Sequence, residues 1–449
     1  MNQNIKKLGY CCISAMLLLG ACKPDNFADF ENPIQDENIK LVTLTSDSES
    51  LLADGKATME FRFLAYGIAE VKKLKKEVKG KETIYSEYMQ LDTFLIPSDR
   101  ISPDFIKLYS ADGTLIKDNK FRTTALSSAK LNFHAKAGNV ISNSLAITLR
   151  EDKVSAGWQE IEIPLMFHIM EPPSAVRPTF TISVENLQLK VDQLNKVYNN
   201  QAAATPNGGN AKIKFVLAKY DLSGRLLAER GMRKVAVVDN MNLAGYKEVI
   251  AKNLWNPAQY LNVYLCKFAD NYNPDGSLSY AAPMPNMILK GASPIPGITA
   301  REVPAFNSNE VKDVTDVSII WSLTEFFDPS RWDKDNALEF STVMGYHLGL
   351  LNTEAKSVYN SSTGKYDYVL VNGDSDYCPD TEVYTSVGNF SVFKKALFTD
   401  KLYTAFNIMT GISRKNSITV DQSARIREVL EKCPSRWYYK SKWATTGLK

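Results

Sequence analysis

Histidine is scarce in this chain, which holds only three histidines in 449 residues: His134, His168 and His347. A catalytic zinc centre built on histidine gathers two or three of these side chains at one place. Two of the three lie in or next to the N-terminal region. The C-terminal part of the chain alone therefore cannot supply a zinc site made of three histidines.

An excess of charge of either sign is also missing. Lys and Arg number 53 against 50 Asp and Glu, which gives a net charge of +3. Proteins that bind nucleic acid usually carry a strongly basic balance, so we predict no nucleic-acid partner. With 44% hydrophobic and 23% charged residues, the composition is that of a soluble globular protein. The length suggests two domains.

The N-terminus carries the pattern of an export signal. Lys6 and Lys7 precede a short apolar run that is too short to span a bilayer comfortably. The run ends in Leu-Gly-Ala-Cys at residues 19–22, which resembles a bacterial lipobox. That resemblance implies a signal peptide over 1–21, lipidation of Cys22 and a tether over 22–38. The alternative is an ordinary signal peptide with a chance cysteine. We expect a lipid-anchored protein of the cell envelope, at the outer membrane on its periplasmic or surface side.

Few cysteines remain after this processing. Cys11 and Cys12 leave with the signal peptide, and lipid occupies Cys22. Cys266, Cys378 and Cys433 then lie in an oxidising compartment. At most one intramolecular disulfide can form among these three, and the sequence leaves the pairing open.

Residues 39–155 predict a β-sandwich. Apolar and polar residues alternate around Phe61 and again around Ile147, and Asp-Gly turns separate such runs. The run Leu-Leu-Ala-Asp-Gly-Lys-Ala-Thr at residues 51–58, followed by alternating strands, resembles immunoglobulin-like modules of bacterial surface proteins. The lysines between residues 72 and 81 indicate either a patch for anionic glycan or lipid head groups, or a solvated hairpin protected by charge.

Residues 156–449 predict strands mixed with helices. The alternation from Ile161 to Ile169 predicts a strand with His168 on its polar face. Ser183 is a candidate N-cap for a helix ending near Tyr198. Further strands are predicted at 213–217, 261–265 and 317–321, of which the last is our candidate edge strand.

The stretch 338–352 predicts a buried amphipathic helix. Phe340, Val343, Met344, His347 and Leu351 form one apolar stripe at helical spacing. Gly349 follows, where a helix end favours a residue with positive φ. These residues alone predict a core helix in which His347 is a packed or capping side chain.

The segment Thr-Val-Met-Gly-Tyr-His-Leu-Gly-Leu-Leu-Asn at 342–352 is similar to the zinc-binding helix of metzincin proteases. The similarity is greatest to pappalysin-like lipoproteins of Bacteroidetes-type bacteria. In that motif two histidines of the helix and a third beyond the glycine that ends it bind zinc, and a glutamate is the general base. The resemblance places the ligand positions at Thr342, Tyr346 and Asn352 and the base position at Val343. None of these side chains is suited to its role, so we predict no zinc cofactor and no catalytic residue.

Three later stretches resemble the same family in the same order. Residues 374–382 are similar to an acidic stretch that follows the zinc helix. Asn-Ile-Met-Thr-Gly at 407–411 resembles the Met-turn, with Met409 in the place of its methionine. Thr419 and Gln422 form a capping-box pattern before a helix that ends at Pro434. The resemblance implies an α+β fold, with an immunoglobulin-like β-sandwich followed by a metzincin-like α/β domain with a twisted mixed sheet.

The acidic stretch leaves two interpretations open. Carboxylates are the ligands that calcium prefers, and the stretch holds four of them: Asp374, Asp376, Asp380 and Glu382. The first interpretation is a calcium site, and the second is a solvated acidic loop.

Three functional hypotheses follow. The first is an inactive metzincin-like lipoprotein that binds a peptide or glycan, or acts as a scaffold, at the cell envelope. The second is a working zinc metallopeptidase with ligands recruited from elsewhere, such as His347 with Asp376 or Cys378. The third is an adhesion or structural subunit that binds protein or glycan through its β-sandwich.

Overall fold

The computed structural model describes residues 38–79, 82–102, 104–151, 157–171, 182–202, 205–239, 241–267, 280–281, 283–308, 311–323, 326, 340–369, 376–384, 393–397, 402–411 and 416–444. The signal peptide, Cys22, the tether and Asp374 lie outside these ranges. The described chain is a mixed α+β structure that contains more strands than helices, which confirms the predicted class. Among the described residues, no helix is long and apolar enough to cross a membrane.

Between residues 38 and 151, the described elements are all strands, apart from short 3₁₀ turns. In chain order they are β1 (Leu41–Ser46), β2 (Ser50–Leu52), β3 (Met59–Lys79), β4 (Glu82–Ile96), β5 (Ile106–Ser110), β6 (Leu115–Ile116), β7 (Lys120–Phe121), β8 (Leu131–Ala137), β9 (Val140–Ile141) and β10 (Leu145–Arg150). Among the described residues, 38–41 and 65–105 form one compact unit, and 42–64 with those from 106 to 444 form a second.

The first unit is built on a long antiparallel hairpin of β3 and β4. Its pairing runs from Ala65 opposite Ile96 to Lys79 opposite Glu82. Lys72 forms an ion pair with Glu87. Lys72 and Lys73 lie on this hairpin, as one of the two interpretations predicted. Apolar side chains on the same hairpin are exposed. They include Ile68, Leu74, Met89, Leu91 and Leu95.

The N-terminal strands of the second unit form two layers. Residues of β1, the first part of β3 and β7 make one layer, and the order β2-β10-β8-β5-β6, with β9 beside β8, makes the other. Phe61 and Phe121 of the first layer pack against Phe133 of the second, with ring centroids 4.8 and 5.1 Å apart. Strand β2 pairs with β10 in parallel. The immunoglobulin-like type of this region stays a prediction.

The rest of the second unit contains both helices and strands. In chain order they are β11 (Ile161–Glu171), α1 (Val184–Tyr198), β12 (Ile213–Leu217), β13 (Met232–Ala236), α2 (Leu243–Asn253), β14 (Leu261–Cys266), β15 (Tyr280–Ala281), β16 (Met287–Leu289), β17 (Arg301–Val303), β18 (Ser318–Ser322), α3 (Phe340–His347), β19 (Lys356–Asn360), β20 (Lys365–Val369), β21 (Phe393–Lys395), β22 (Leu402–Thr404) and α4 (Val420–Lys432). A 3₁₀ helix over Pro434–Lys440 follows α4.

A mostly parallel sheet with the strand order β12-β11-β14-β18-β15 forms the centre. Strand β13 pairs with the second half of β11, beyond the part that pairs with β12. Strands β14 and β18 are buried along their whole length, because the sheet is covered on both faces. Helices α1, α3 and α4 share one core with one face of the sheet. Helix α2 packs on the other face with a separate cluster.

Two predictions about this sheet were wrong. Strand β18 is not an edge strand, because β14 pairs with one side of it and β15 with the other. His168 is fully buried rather than on a polar face. Its ring stacks on Tyr264 at 4.3 Å, and its Nε2 lies 2.8 Å from Asn262 Oδ1. The alternation in β11 predicted that the face with His168 is solvated. That prediction was wrong because helix α2 covers this face of the sheet as well.

Candidate functional site

Helix α3 forms the centre of the region that resembles a zinc site. Seven of its eight residues are buried, including Val343 and Met344, which agrees with the predicted core helix. Gly349 ends the helix region with φ of +89°, a conformation that glycine adopts without strain. A Cβ at this position would also lie 2.6 Å from Val429, so the chain can turn here only with glycine.

The three positions that correspond to zinc ligands hold side chains with other roles. The hydroxyl of Thr342 donates a hydrogen bond of 2.8 Å to the carbonyl oxygen of Ile408. Tyr346 is half-buried and packs against the core. Asn352 is exposed, and its Oδ1 accepts a 2.9 Å hydrogen bond from the backbone N–H of Glu354. Hydroxyl, phenol and amide groups engaged in this way do not suit zinc, which takes imidazole, thiolate or carboxylate.

The base position is equally unsuited to proton transfer. Val343 has no exposed surface and lies in the main hydrophobic core. A general base needs a group that accepts a proton, and an isopropyl side chain has none. In the ranges that the structure describes, no three His, Cys, Asp or Glu residues are grouped so that they could hold a metal ion.

Met409 lies directly against helix α3. A Cβ added to Gly345 would be 2.6 Å from the Met409 sulfur, so the glycine allows this close approach. The backbone N–H of Met409 donates to Asn407 Oδ1 at 2.8 Å. Thr410 and Thr353 are joined by a 2.9 Å hydrogen bond between their hydroxyls. Met409 therefore fills core space between the helix and this loop, as methionine often does.

Two buried arginines close the C-terminal end of α3, and no local sequence pattern predicted this role for them. Arg436 Nε donates to the carbonyl oxygen of His347 at 2.8 Å, and Arg425 Nε donates to that of Gly349 at 2.7 Å. The last carbonyls of a helix lack partners within the helix and carry a partial negative charge. Arg436 thus satisfies the carbonyl of the last helical residue, and Arg425 satisfies that of Gly349 two residues beyond it, both in buried surroundings.

His347 itself is a packed side chain. It has no exposed surface, and its Nε2 lies 2.7 Å from the Tyr438 hydroxyl. Burial holds the pKa of His347 well below its ordinary value, and the nearby Arg436 charge adds to the effect. The neutral ring therefore serves the core and stays uncharged at physiological pH.

A second polar group near α3 was not predicted. The Tyr384 hydroxyl accepts a 2.7 Å hydrogen bond from the backbone N–H of Gly411 and donates at 3.3 Å to Glu354 Oε2. Burial raises the pKa of Tyr384, and the Glu354 charge raises it further. This phenol thus stays protonated and ties the segment after Met409 to the segment after Gly349.

The described carboxylates of the acidic stretch lie around the start of α4. Asp380 accepts hydrogen bonds from the Thr419 hydroxyl at 2.7 Å and from the backbone N–H of Asp421 at 3.0 Å. Asp376 accepts from Thr381 at 2.7 Å and from Gln422 at 3.3 Å. Burial, together with the nearby Asp421 charge, raises the pKa of Asp380 to about 7.

Glu382 lies farther along this stretch and bonds elsewhere. Its Oε1 accepts a 3.1 Å hydrogen bond from the backbone N–H of Glu49. A small cleft of about 50 Å³ next to these residues is lined by Asp380, Glu382 and Thr410, among others. The interpretation of the stretch as a calcium site stays a prediction.

The three cysteines that remain after processing are all buried and unpaired. Cys266 ends β14 and packs on the α2 side of the sheet, whereas Cys433 packs in a cluster with Val429. Cys378 lies between the two buried aspartates. The structure therefore forms none of the possible disulfides among these three cysteines, each of which has different surroundings.

Comparisons with known proteins gave structural likenesses only. No protein-family model matches the chain, and no curated protein matches it. Mature mirolysin of Tannerella forsythia, solved in complex with a cleaved peptide, is similar at 19% identity with a TM-score of 0.41, over 63% of this chain and 96% of that chain. Mirolysin in complex with compound 9 is similar at 18% identity with a TM-score of 0.37, over 61% and 93%. Likenesses this distant carry no inference about chemistry.

Proposed function

We propose that the chain is a lipid-anchored cell-envelope protein whose metzincin-like domain is catalytically inactive. It would act as a binding or scaffold protein for a peptide or glycan. The proposal depends on the side chains that occupy the zinc-ligand and base positions on α3 and just after it. A buried valine occupies the base position, and the Thr342 and Asn352 side chains are engaged with backbone groups.

The alternative of a working metallopeptidase with other ligands has less support. His347 would have to leave its bond with Tyr438 and turn out of the core. Asp376 is buried and accepts three hydrogen bonds, from Thr381, Gln422 and the backbone N–H of Cys378. Breaking such a satisfied buried network costs more than a surface rearrangement.

Metal analysis and a peptide-cleavage assay on the purified chain test the proposal. We expect less than stoichiometric zinc after dialysis and no cleavage of a denatured protein substrate in excess Zn²⁺. A matched variant, Tyr346→His, should also fail to bind zinc, because one imidazole beside Thr342 and Asn352 makes an incomplete site. Stoichiometric zinc with chelator-sensitive cleavage in the unaltered chain would refute the proposal.

The anchor needs a separate test. Cys22→Ser should abolish incorporation of labelled fatty acid and release the protein from the membrane fraction, because the thiol of Cys22 would carry the lipid. A Cys12→Ser variant is the control, since Cys12 would leave with the signal peptide. Labelling that persists in Cys22→Ser would contradict the proposed anchor.

A further inference from the structure

A second cleft lies at the C-terminal end of the chain, away from the residues discussed so far. Its volume is about 350 Å³, within the range of small-molecule sites. Trp158 and Tyr439 are its aromatic walls, and Ile161 and Leu430 provide aliphatic surface. Walls of this kind present flat apolar faces to a ligand.

The charged residues that line the same cleft are two cations, Arg427 and Lys440, and one carboxylate, Glu431. Arg427 lies over the Trp158 ring at 5.2 Å, and its donors reach backbone carbonyls of Gln159, Ala211 and Lys212 at 3.3–3.4 Å. The Lys440 amine lies 3.3 Å from the centre of the Trp437 ring. Within the described part of the chain, neither cation forms a salt bridge.

The two cations differ in exposure: Arg427 is partly buried, whereas Lys440 is exposed. Burial lowers the pKa of both below their ordinary values, although the carboxylate of Glu431 acts in the opposite direction on each. With two cations against one carboxylate, the charged groups of the lining carry a net positive charge. The cleft therefore favours a negatively charged ligand over a neutral one.

We propose that this cleft binds an acidic sugar unit of a glycan, with the ring against the Trp158 and Tyr439 walls and the carboxylate held by Lys440 and Arg427. A sugar ring presents C–H groups that pack on an aromatic face, and the carboxylate of a sugar acid complements the excess of positive charge in the lining. The proposal rests on the binding role proposed above and names its ligand class. Two cations in a nearly neutral chain are too few for a nucleic-acid site.

Direct binding measurements on the full chain test this site. The probes are a trisaccharide of galacturonic acid and, as its neutral counterpart, maltotriose. We expect the acidic trisaccharide to bind at least roughly tenfold more tightly than maltotriose, since a hydrogen bond to a charged group is worth more than a neutral one. Added salt should weaken the binding of the acidic trisaccharide but not the binding of maltotriose.

Lys440→Met is the main variant because Lys440 is exposed and its loss should leave the fold intact. It should weaken acidic-trisaccharide binding roughly tenfold. Lys442→Met is the matched control, since Lys442 also lies over a tryptophan, Trp443 at 4.3 Å, but does not line the cleft. Thermal melts of both variants confirm folding.

Several outcomes would overturn the proposal. They are no binding of the acidic trisaccharide at millimolar concentration, equal binding of both sugars, an equal effect of both lysine variants, or tighter binding of a glutamate-rich peptide. The last result would assign the cleft to acidic peptides. Zinc content and peptide cleavage are measured in separate experiments. A failure of sugar binding would therefore not affect the test of catalytic inactivity.

Discussion

The C-terminal end of α3 and the N-terminal end of α4 are both buried, and side chains of opposite charge close them. At α3, the guanidinium groups of Arg425 and Arg436 meet carbonyl oxygens. At α4, the carboxylate of Asp380 meets the Thr419 hydroxyl and the Asp421 amide. Both arrangements follow the helix dipole, which favours cations at the C-terminus and anions at the N-terminus.

The two ends show where this domain places its buried titratable groups. Helix α3 carries apolar or backbone-bonded side chains, whereas Arg425, Arg436 and Asp380 lie at helix ends. A buried polar group whose hydrogen bonds are satisfied in this way contributes to the fold and has no free capacity for chemistry. The polar groups at these helix ends therefore stabilise the fold.

The largest effect should come from the α3 end. Arg436→Met would leave the carbonyls of His347 and Asp316, among others, without their donor in a fully buried site. We expect the free energy of unfolding to fall by roughly 3–5 kcal/mol, measured by urea denaturation. Arg436→Lys, which keeps the charge but fewer donors, should be intermediate. A loss below about 1 kcal/mol in Arg436→Met would show that water replaces the guanidinium.

The α4 end should be less sensitive to a neutral change. Thr419→Ala removes the N-cap that accepts from the Gln422 amide and the hydroxyl that donates to Asp380. We expect a loss of about 1–2 kcal/mol in the free energy of unfolding, with Thr419→Ser close to the unaltered chain. If Thr419→Ala costs as much as Arg436→Met, the proposed ranking of the two ends is wrong.

The next largest effect should be on how the free energy of unfolding varies with pH. Because the folded pKa of Asp380 is raised to about 7, the folded state binds its proton more tightly than the unfolded state. Its contribution to stability is therefore present at low pH and declines as pH rises from about 4 to 7. In Asp380→Asn this decline should be reduced, as measured by unfolding at pH 4–8.

Asp221→Asn is the control for that slope. Its pKa is lowered to about 2 by hydrogen bonds from Ser223 and from the Arg225 amide, so its contribution is lost only below the unfolded pKa. The stability difference between this variant and the unaltered chain should stay constant from pH 5 to 8. If the free energy of unfolding declines equally between pH 4 and 7 in Asp380→Asn and in the unaltered chain, Asp380 does not cause the decline.

The smallest effect should come from the third ligand-like position. Asn352→Ala removes one exposed hydrogen bond to the Glu354 amide. We expect a change within about 0.5 kcal/mol in urea denaturation, as for most surface substitutions. A loss above about 2 kcal/mol would mean that Asn352 holds the segment after Gly349 in place.

Local signals in the sequence identified the elements that lie around these helix ends. Ser183 caps α1, Thr419 and Gln422 form a complete capping box at α4, and Gly349 has the positive φ expected of it. Each of these depends on residues within one turn of a helix. Such patterns can be recognised because the cause and the effect lie next to each other in the chain.

The missed features all depend on contacts between distant residues. Arg436 reaches a carbonyl 89 positions away, and Asp380 reaches Thr419 39 positions away. Helix α2 was not predicted, and its packing explains why His168 is buried. No spacing rule connects such partners, so the sequence predicted the candidate helix but not the groups that close it.

The parallel pairing of β2 with β10 has a consequence for synthesis on the ribosome. Ser50 lies opposite Thr148, so β2 has no partner until about 100 further residues have been added. At elongation rates of about 5–20 residues per second this is a wait of about 5–20 s. During that interval the segment Ser50–Leu52, fully buried in the finished protein, has no strand to pair with.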